Sequence, residues 1–418
     1  MRSFVLLTTA VLCLGITDVQ AGKLRDTLST LYGGDGITLR NTGVFNHAAH
    51  FSQDSLGALN DFSARALRIE APHLSVDSGA VFEYDPVVDD FVEVQGVLGP
   101  MFAERPQPLG KGRINTGFNY SDRQFRNFEE DDLSHISVEL GHLDVGAPGI
   151  DIYIGGPPGR CYTFEEDHVH VDLDIDLKVR SLAFFAEYGL TDHLDVGVVI
   201  PLLKTELDVK AHGEIEIHES SRFLPGRVLH AFDPAGIDGD GPDSTANGQA
   251  TGIGDVLLRS KYALYASERL ALRVATQLRL PTGDYRDLSG TGRFGGRTAL
   301  IAATMFRLTE RSTLSPHVNV AWDLNNTPQG TDQLQWTAGV DWGFQIAGIQ
   351  SSVSLDVLHR SSLNRRSDGG DDVTDLAVGY KWRMGERSSG FVGTRWPLDR
   401  QDGLRPDVAF EMGGQLSF

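Results

Sequence analysis

Residues 169–179 read Val-His-Val-Asp-Leu-Asp-Ile-Asp-Leu-Lys-Val, with every odd position aliphatic and every even one charged or His. A period of two fits only an extended strand, because successive side chains of a strand point to opposite faces. One face of such a strand meets an apolar medium and the other meets water or a polar interior. The same alternation returns downstream. Leu270, Leu272, Val274, Leu278 and Leu280 alternate with Ala271, Arg273, Ala275, Gln277 and Arg279. Leu334, Trp336, Ala338, Val340 and Trp342 alternate with Gln333, Gln335, Thr337, Gly339 and Asp341. Val408, Phe410, Met412, Leu416 and Phe418 do so to the end of the chain.

About twelve such segments are expected, near 112–122, 167–189, 192–210, 251–266, 268–281, 294–308, 312–323, 332–345, 348–360, 372–384, 389–397 and 406–418. Their connections alternate in length. Short turns fall at 189–192, 266–268, 309–311, 347–348 and 385–387. Longer polar loops fall at 123–166, 211–250, 282–293, 323–331, 361–371 and 398–405. Short turns at one end and long loops at the other mark an up-and-down barrel set in a membrane. The expected fold class is therefore all-β, an antiparallel transmembrane β-barrel of about twelve strands over 111–418, with its apolar register facing lipid.

Composition removes the competing classes. Asp+Glu total 57 against Lys+Arg 37, a formal net charge of -20, which suits no nucleic-acid partner. Two Cys make no disulfide scaffold. No long apolar run follows the N-terminus, so membrane-spanning helices are not expected. The N-terminus has Arg2, an apolar stretch from Phe4 to Gly15 and small residues up to Ala21, the layout of a secretory signal peptide over 1–21. Residues 22–110 then form an N-terminal extension or a plug, partly irregular, with the Pro-rich stretch 100–110 at its end.

Aromatic placement agrees with a bilayer. Trp322, Trp336, Trp342, Trp382 and Trp396 all fall on the apolar register, and the chain ends in Phe418. Amphipathic rings favour the headgroup level, so these residues are expected as membrane girdles. The terminal Phe also resembles the assembly signal of bacterial outer-membrane barrels. The opposite register would line the lumen. It carries Arg259, Lys261, Arg273, Arg279, Arg297 and Arg307, facing Asp172, Asp174 and Asp176, with Asp341, Asp375 and Glu411 on later strands. A basic wall opposite acidic ones sets a transverse field that biases which solutes pass. The competing expectation is a closed network of Arg–carboxylate pairs that fills a narrow barrel.

Three stretches resemble an outer-membrane barrel family named for the meta-pathway of phenol degradation (MetA), whose members are read as transporters. They are Tyr188-Gly-Leu-Thr-Asp-His-Leu-Asp-Val-Gly-Val-Val-Ile-Pro-Leu202, Gly252-Ile-Gly-Asp-Val-Leu-Leu-Arg-Ser-Lys-Tyr262 and Leu280-Pro-Thr-Gly-Asp284. The resemblance covers roughly 112–418. It implies a barrel in the bacterial outer membrane and a transport role, with no solute carried over.

Other sites are sparser. Asp238, Asp240 and Asp243, with Asp233 upstream, are expected as a solvated acidic turn, with Ca²⁺ binding as the lesser alternative and no other cofactor expected. His359-Arg-Ser361 is similar in miniature to the His-x-Ser pattern of lipid A deacylases, which gives a lipid-hydrolase alternative. A non-transporting adhesin or structural barrel, binding through the loops at 123–166 and 211–250, is a third reading. The expected partners are outer-membrane lipid and lipopolysaccharide, the barrel-assembly machinery and an unidentified small solute.

Overall fold

The computed structural model describes residues 98–128, 131–140, 168–216, 240–267, 270–325, 332–363, 372–385, 387–399 and 404–418, together with Phe232 and short pieces within 24–38 and 82–93. The proposed signal peptide lies outside the described residues. Among the described residues, fourteen strands build the barrel and its flanks: β1 (Ile114–Phe128), β2 (Ile136–Leu140), β3 (His168–Gly189), β4 (Leu194–Glu216), β5 (Asp240–Ile253), β6 (Leu257–Ala266), β7 (Leu270–Arg279), β8 (Gly295–Thr304), β9 (Ser312–Asn325), β10 (Gln333–Ile346), β11 (Ile349–Ser362), β12 (Val373–Arg383), β13 (Ser388–Pro397) and β14 (Leu404–Ser417), with short pieces at Asp131–Asp132 and Phe306–Thr309 joined to the same sheet. All but β2 and β5 form a closed antiparallel ring of twelve. The ring closes where β14 pairs with β1, and Ile114 and Phe418 exchange backbone hydrogen bonds at 3.0 and 2.8 Å. Closure leaves the ring no free edge. One end carries tight turns. At Ala347–Gly348 both residues have positive φ, 50° and 79°, as a two-residue hairpin of the favoured twist requires.

Alternation places the side chains. Along the ring the outward register is apolar: Leu258, Tyr262, Leu300, Val318, Leu355 and Met412 are all exposed. The inward register is polar and buried: Arg259, Lys261, Arg273, Asn319, Asp341 and Glu411. A polar inside and an apolar outside is a soluble fold turned inside out, and it is stable only with lipid around it.

Strands β3 and β4 run past the ring, and there the pattern inverts. Their outward positions change character within one row. On β3 Leu182, Phe184 and Tyr188 give way to Arg180, Lys178 and Asp176. On β4 Leu194 to Leu202 gives way to Lys204, Glu206 and Asp208. The register pairs Leu182 with Leu202 and Arg180 with Lys204, and on β1 it pairs Tyr120 with Leu182 and Asp122 with Arg180. Three strands therefore mark the same level as the edge of the lipid belt. Above it the outside is wet. There the hydrogen bond from Lys204 holds the Glu206 carboxyl below its ordinary pKa, against a smaller upward push from burial.

The inside of this collar is the apolar face. Val171, Leu173, Ile175, Leu177 and Val179 are each no more than 3% exposed. They pack with Leu207 and Val209 of β4, Ala246 of β5, and with Leu24, Leu31 and Ile37 from the N-terminal region. Strand β2 flanks β3 and β5 flanks β4, which widens the collar into a four-stranded sheet. Asp172, Asp174 and Asp176 thus stand on the outer, water-facing side of the collar and not in the lumen. Alternation says that the two faces differ; above the belt the chain fills its own interior with apolar groups, so the polar face turns outward.

The span 211–250 is not one loop. β4 continues to Glu216, and Asp240–Ile253 is a strand paired with it. Gly254 then bonds to Pro201 O at 2.7 Å where the chain bends into β6.

Candidate functional site

Residues 98–110 run through the lumen without regular structure. The wall holds them at every stage. Lys381 on β12 donates to the carbonyls of Leu98 and Pro100, both at 3.1 Å. Met101 and Phe102 lie against Gly379 and Gly393, which face each other across β12 and β13. Any side chain at either glycine would collide with them. Glu104 takes Arg259 at 2.7 Å and Lys261 at 3.3 Å, and Glu187 stands 3.5 Å from both cations. Asn319 Nδ2 donates to the Glu104 carbonyl at 3.2 Å. Arg273 donates to Gln107 O at 2.7 Å and pairs closely with Asp195, whose carboxylate accepts from Leu109 N at 3.2 Å. The segment crosses from the β12–β13 wall to the β4–β7 wall.

Further charge clusters pack the rest of the wall. His317 Nε2 meets Asp356 at 2.6 Å and its Nδ1 meets Asp341 at 3.4 Å, with Ser354 donating to Asp341. Arg123 pairs with Glu411 at 3.5 Å, Arg395 with Asp375 at 3.5 Å, and Arg405 with Asp375 at 3.4 Å. Arg297 stands 3.8 Å from Asp323 and Arg279 3.9 Å from Asp255. Asp255 also accepts from Gly283 N, Thr291 N and Thr291 Oγ1 at 3.0, 2.8 and 2.6 Å, folding the 282–293 loop inward. Leu288 on that loop, at φ 55°, joins the collar core.

A partly open cavity lies against Phe102–Glu104. Arg297, Asn319, Gln335, Arg360, Asp375 and Arg395 reach it from the wall.

The inward positions expected for Arg259, Lys261, Arg273, Arg279, Arg297, Asp341, Asp375 and Glu411 are where the structure places those residues. Arg307 is not among them. It sits on Phe306–Thr309 at the short-turn rim and is exposed, because the chain leaves the regular register after Thr304. Sequence reasoning missed Glu104, the hinge of the largest cluster, since an irregular stretch offers no register to read. It also missed Glu187 and Asp195, which share the inward register of expected strands, and Arg123, which falls in the expected 123–166 loop but continues β1. On the outside, Trp322 is 54% exposed, Trp342 49%, Trp396 37% and Phe418 58%. Trp342 donates to Ser312 at 3.0 Å, Trp382 stacks on Tyr380, and Trp336 lies against His359. His359 Nδ1 bonds Thr374 Oγ1 at 2.9 Å. Asp238 and the side chain of Asp240 lie outside the described residues, and Asp243 bonds His212 at 2.9 Å.

The sequence matches the family described as "Putative MetA-pathway of phenol degradation" over residues 171–396. No curated protein matches it. Among solved structures it is similar to an outer membrane channel from Pseudomonas putida F1, at 14% identity and a TM-score of 0.43, covering 75% of this chain and 98% of that one. The Ralstonia pickettii toluene transporter TbuX gives 12% identity and a TM-score of 0.34, over 74% and 90% of the two chains. A Pseudomonas aeruginosa FadL homologue gives 11% and 0.32, over 81% and 94%.

Proposed function

The chain belongs to the MetA phenol-degradation family, and from that premise we propose that it is a bacterial outer-membrane channel passing small hydrophobic or aromatic solutes through its lumen. The observation that carries the reading is the polar-lined lumen, with a cavity beside residues 98–110, inside a wall whose outer face is apolar and exposed. A solute arriving from the long-loop end enters the cavity and meets Phe102, Ala103 and Glu104 as its floor. Residues 98–110 are the gate. Their ties to the wall are separate hydrogen bonds and ion pairs, each worth about 1–3 kcal/mol, so releasing a few of them together opens a path past part of the segment without unfolding the ring. The reading is of a channel and not an enzyme: His359 Nδ1, which a His–Ser hydrolase would turn to its serine, bonds Thr374 Oγ1 instead, and the ring lies against Trp336.

Planar-bilayer recording on the purified full-length protein tests this. Small, stable conductance steps are expected, and Glu104→Gln should raise the open fraction by freeing the segment from Arg259 and Lys261. A barrel that inserts but conducts nothing, with or without that substitution, would sink the reading.

A further inference from the structure

Gln335 and Arg360 face each other directly across β10 and β11 on the cavity wall. They are 5% and 3% exposed. Paired residues of antiparallel strands hold their Cβ atoms about 5 Å apart. Gln335 Nε2, fully buried, donates to no group among the described residues. A buried donor without an acceptor is a standing cost to a fold, and here it belongs to a residue that lines the lumen cavity. Arg297 lines the same space from β8. The other neighbour of Gln335 is Ala321, continued by Ala299 and Ala275 as a shelf of small apolar side chains. Leu358 and Phe102 complete an apolar side.

We propose that this wall is a binding subsite for a small monocarboxylate with an apolar body. The carboxylate accepts from Gln335 Nε2 and the Arg360 guanidinium, and Arg297 adds its charge from across the cavity. The body lies on Ala321, Leu358 and Phe102. Neighbouring donors that include a guanidinium match the two oxygens of a carboxylate. A neutral alcohol gains less from the same donors, and an ammonium is repelled by the guanidiniums. The cavity's own carboxylates stand beside cations of their own, Arg395 being shared by Asp375 and Glu411, while Asp323 faces Arg297 and Arg360 and tempers their pull. Glu104 has Arg259 and Lys261, Asp375 has Arg395 and Arg405, and Glu411 has Arg123 and Arg395. The inference rests on the channel reading in that solutes must reach this lumen.

Calorimetric titration of the full-length protein in detergent with benzoate, benzyl alcohol and benzylamine tests it. Benzoate should bind at least about tenfold more tightly than the other two. Gln335→Leu and Arg360→Met should each weaken benzoate about tenfold and leave benzyl alcohol within about twofold. Gln335→Glu, which keeps the size and adds a like charge, should abolish benzoate binding; the β-sheet circular dichroism of each variant reports its fold. Equal binding of the three probes, or benzoate affinity untouched in folded Gln335→Glu, would overturn the subsite. Liposome swelling with the same probes separates the two readings. Passage of all three without preference for benzoate counts against the subsite alone. Benzoate binding with no passage of any probe counts against the channel and supports the subsite.

Discussion

Gly379 and Gly393 show how much a missing side chain can position. They sit opposite each other on β12 and β13, and the space a Cβ would need is filled by Met101 and Phe102. Glycine in a strand interior weakens the strand, and it recurs where something must approach the backbone closely. Here the approaching group is the protein's own lumen segment. Gly393→Val should therefore strengthen the strand locally and evict the segment. The expected readout is a higher open fraction in planar bilayers together with faster proteolysis at 98–110. A variant with unchanged conductance and protection would show that the segment does not depend on this contact. The charged positions of the site were legible from alternation, because Arg259, Arg273 and Asp341 interrupt strands that are otherwise apolar on one face. The partner that gathers Arg259 and Lys261, Glu104, was not legible. It lies in a Pro-rich stretch where no periodicity says which way a side chain points, and only the folded path brings it to β6.

At the scale of the strand, one sequence can face two media. β3 has a single alternation from end to end, yet its outward residues are Asp172 to Arg180 above the belt and Leu182 to Tyr188 within it. The span and number of the strands could be read from the sequence because turns and alternation are local. The direction of each face could not be read for the collar, because it depends on what fills the inside there, and Leu24, Leu31 and Ile37 come from far away in the chain. β5 escaped notice for a related reason. Its inner positions are Ser244, Ala246, Gly248 and Ala250, kept small so that Leu24 and Thr27 fit against it, and its outer ones are polar. No apolar stripe remains to be seen. The inversion has a measurable signature. Leu258→Arg, in the lipid belt, should cost about 2–4 kcal/mol, read by urea titration of the protein folded into vesicles. Asp172→Lys, on the wet side of the collar, should stay within about 0.5 kcal/mol. Similar costs at the two positions would refute the placement of the belt edge.

For the whole molecule, the ring is a long-range construction. Its last residue, Phe418, completes the wall by pairing with Ile114, some three hundred positions earlier in the chain. Contacts of that separation form slowly. Deleting Phe418 should remove two closing hydrogen bonds and an aromatic anchor at the membrane edge. The expected outcome is a lower yield of heat-resistant, compact barrel on unheated gels, with near-normal secondary structure in what does fold. Equal yield would mean that the rest of the β14–β1 ladder suffices.

The lumen segment adds a constraint of a different kind, one of order in time. It belongs to the stretch that precedes β1, its side chains fill the interior, and Leu24, Leu31 and Ile37 pack in the core of the collar. Pushing that much chain through a finished and already crowded tube would mean breaking contacts that the tube itself makes. Laying the strands around the segment while the sheet is still open avoids the problem. A barrel assembled in that order is cast around its own core rather than loaded afterwards, with the seam between its first and last strands as the line along which the casting is sealed.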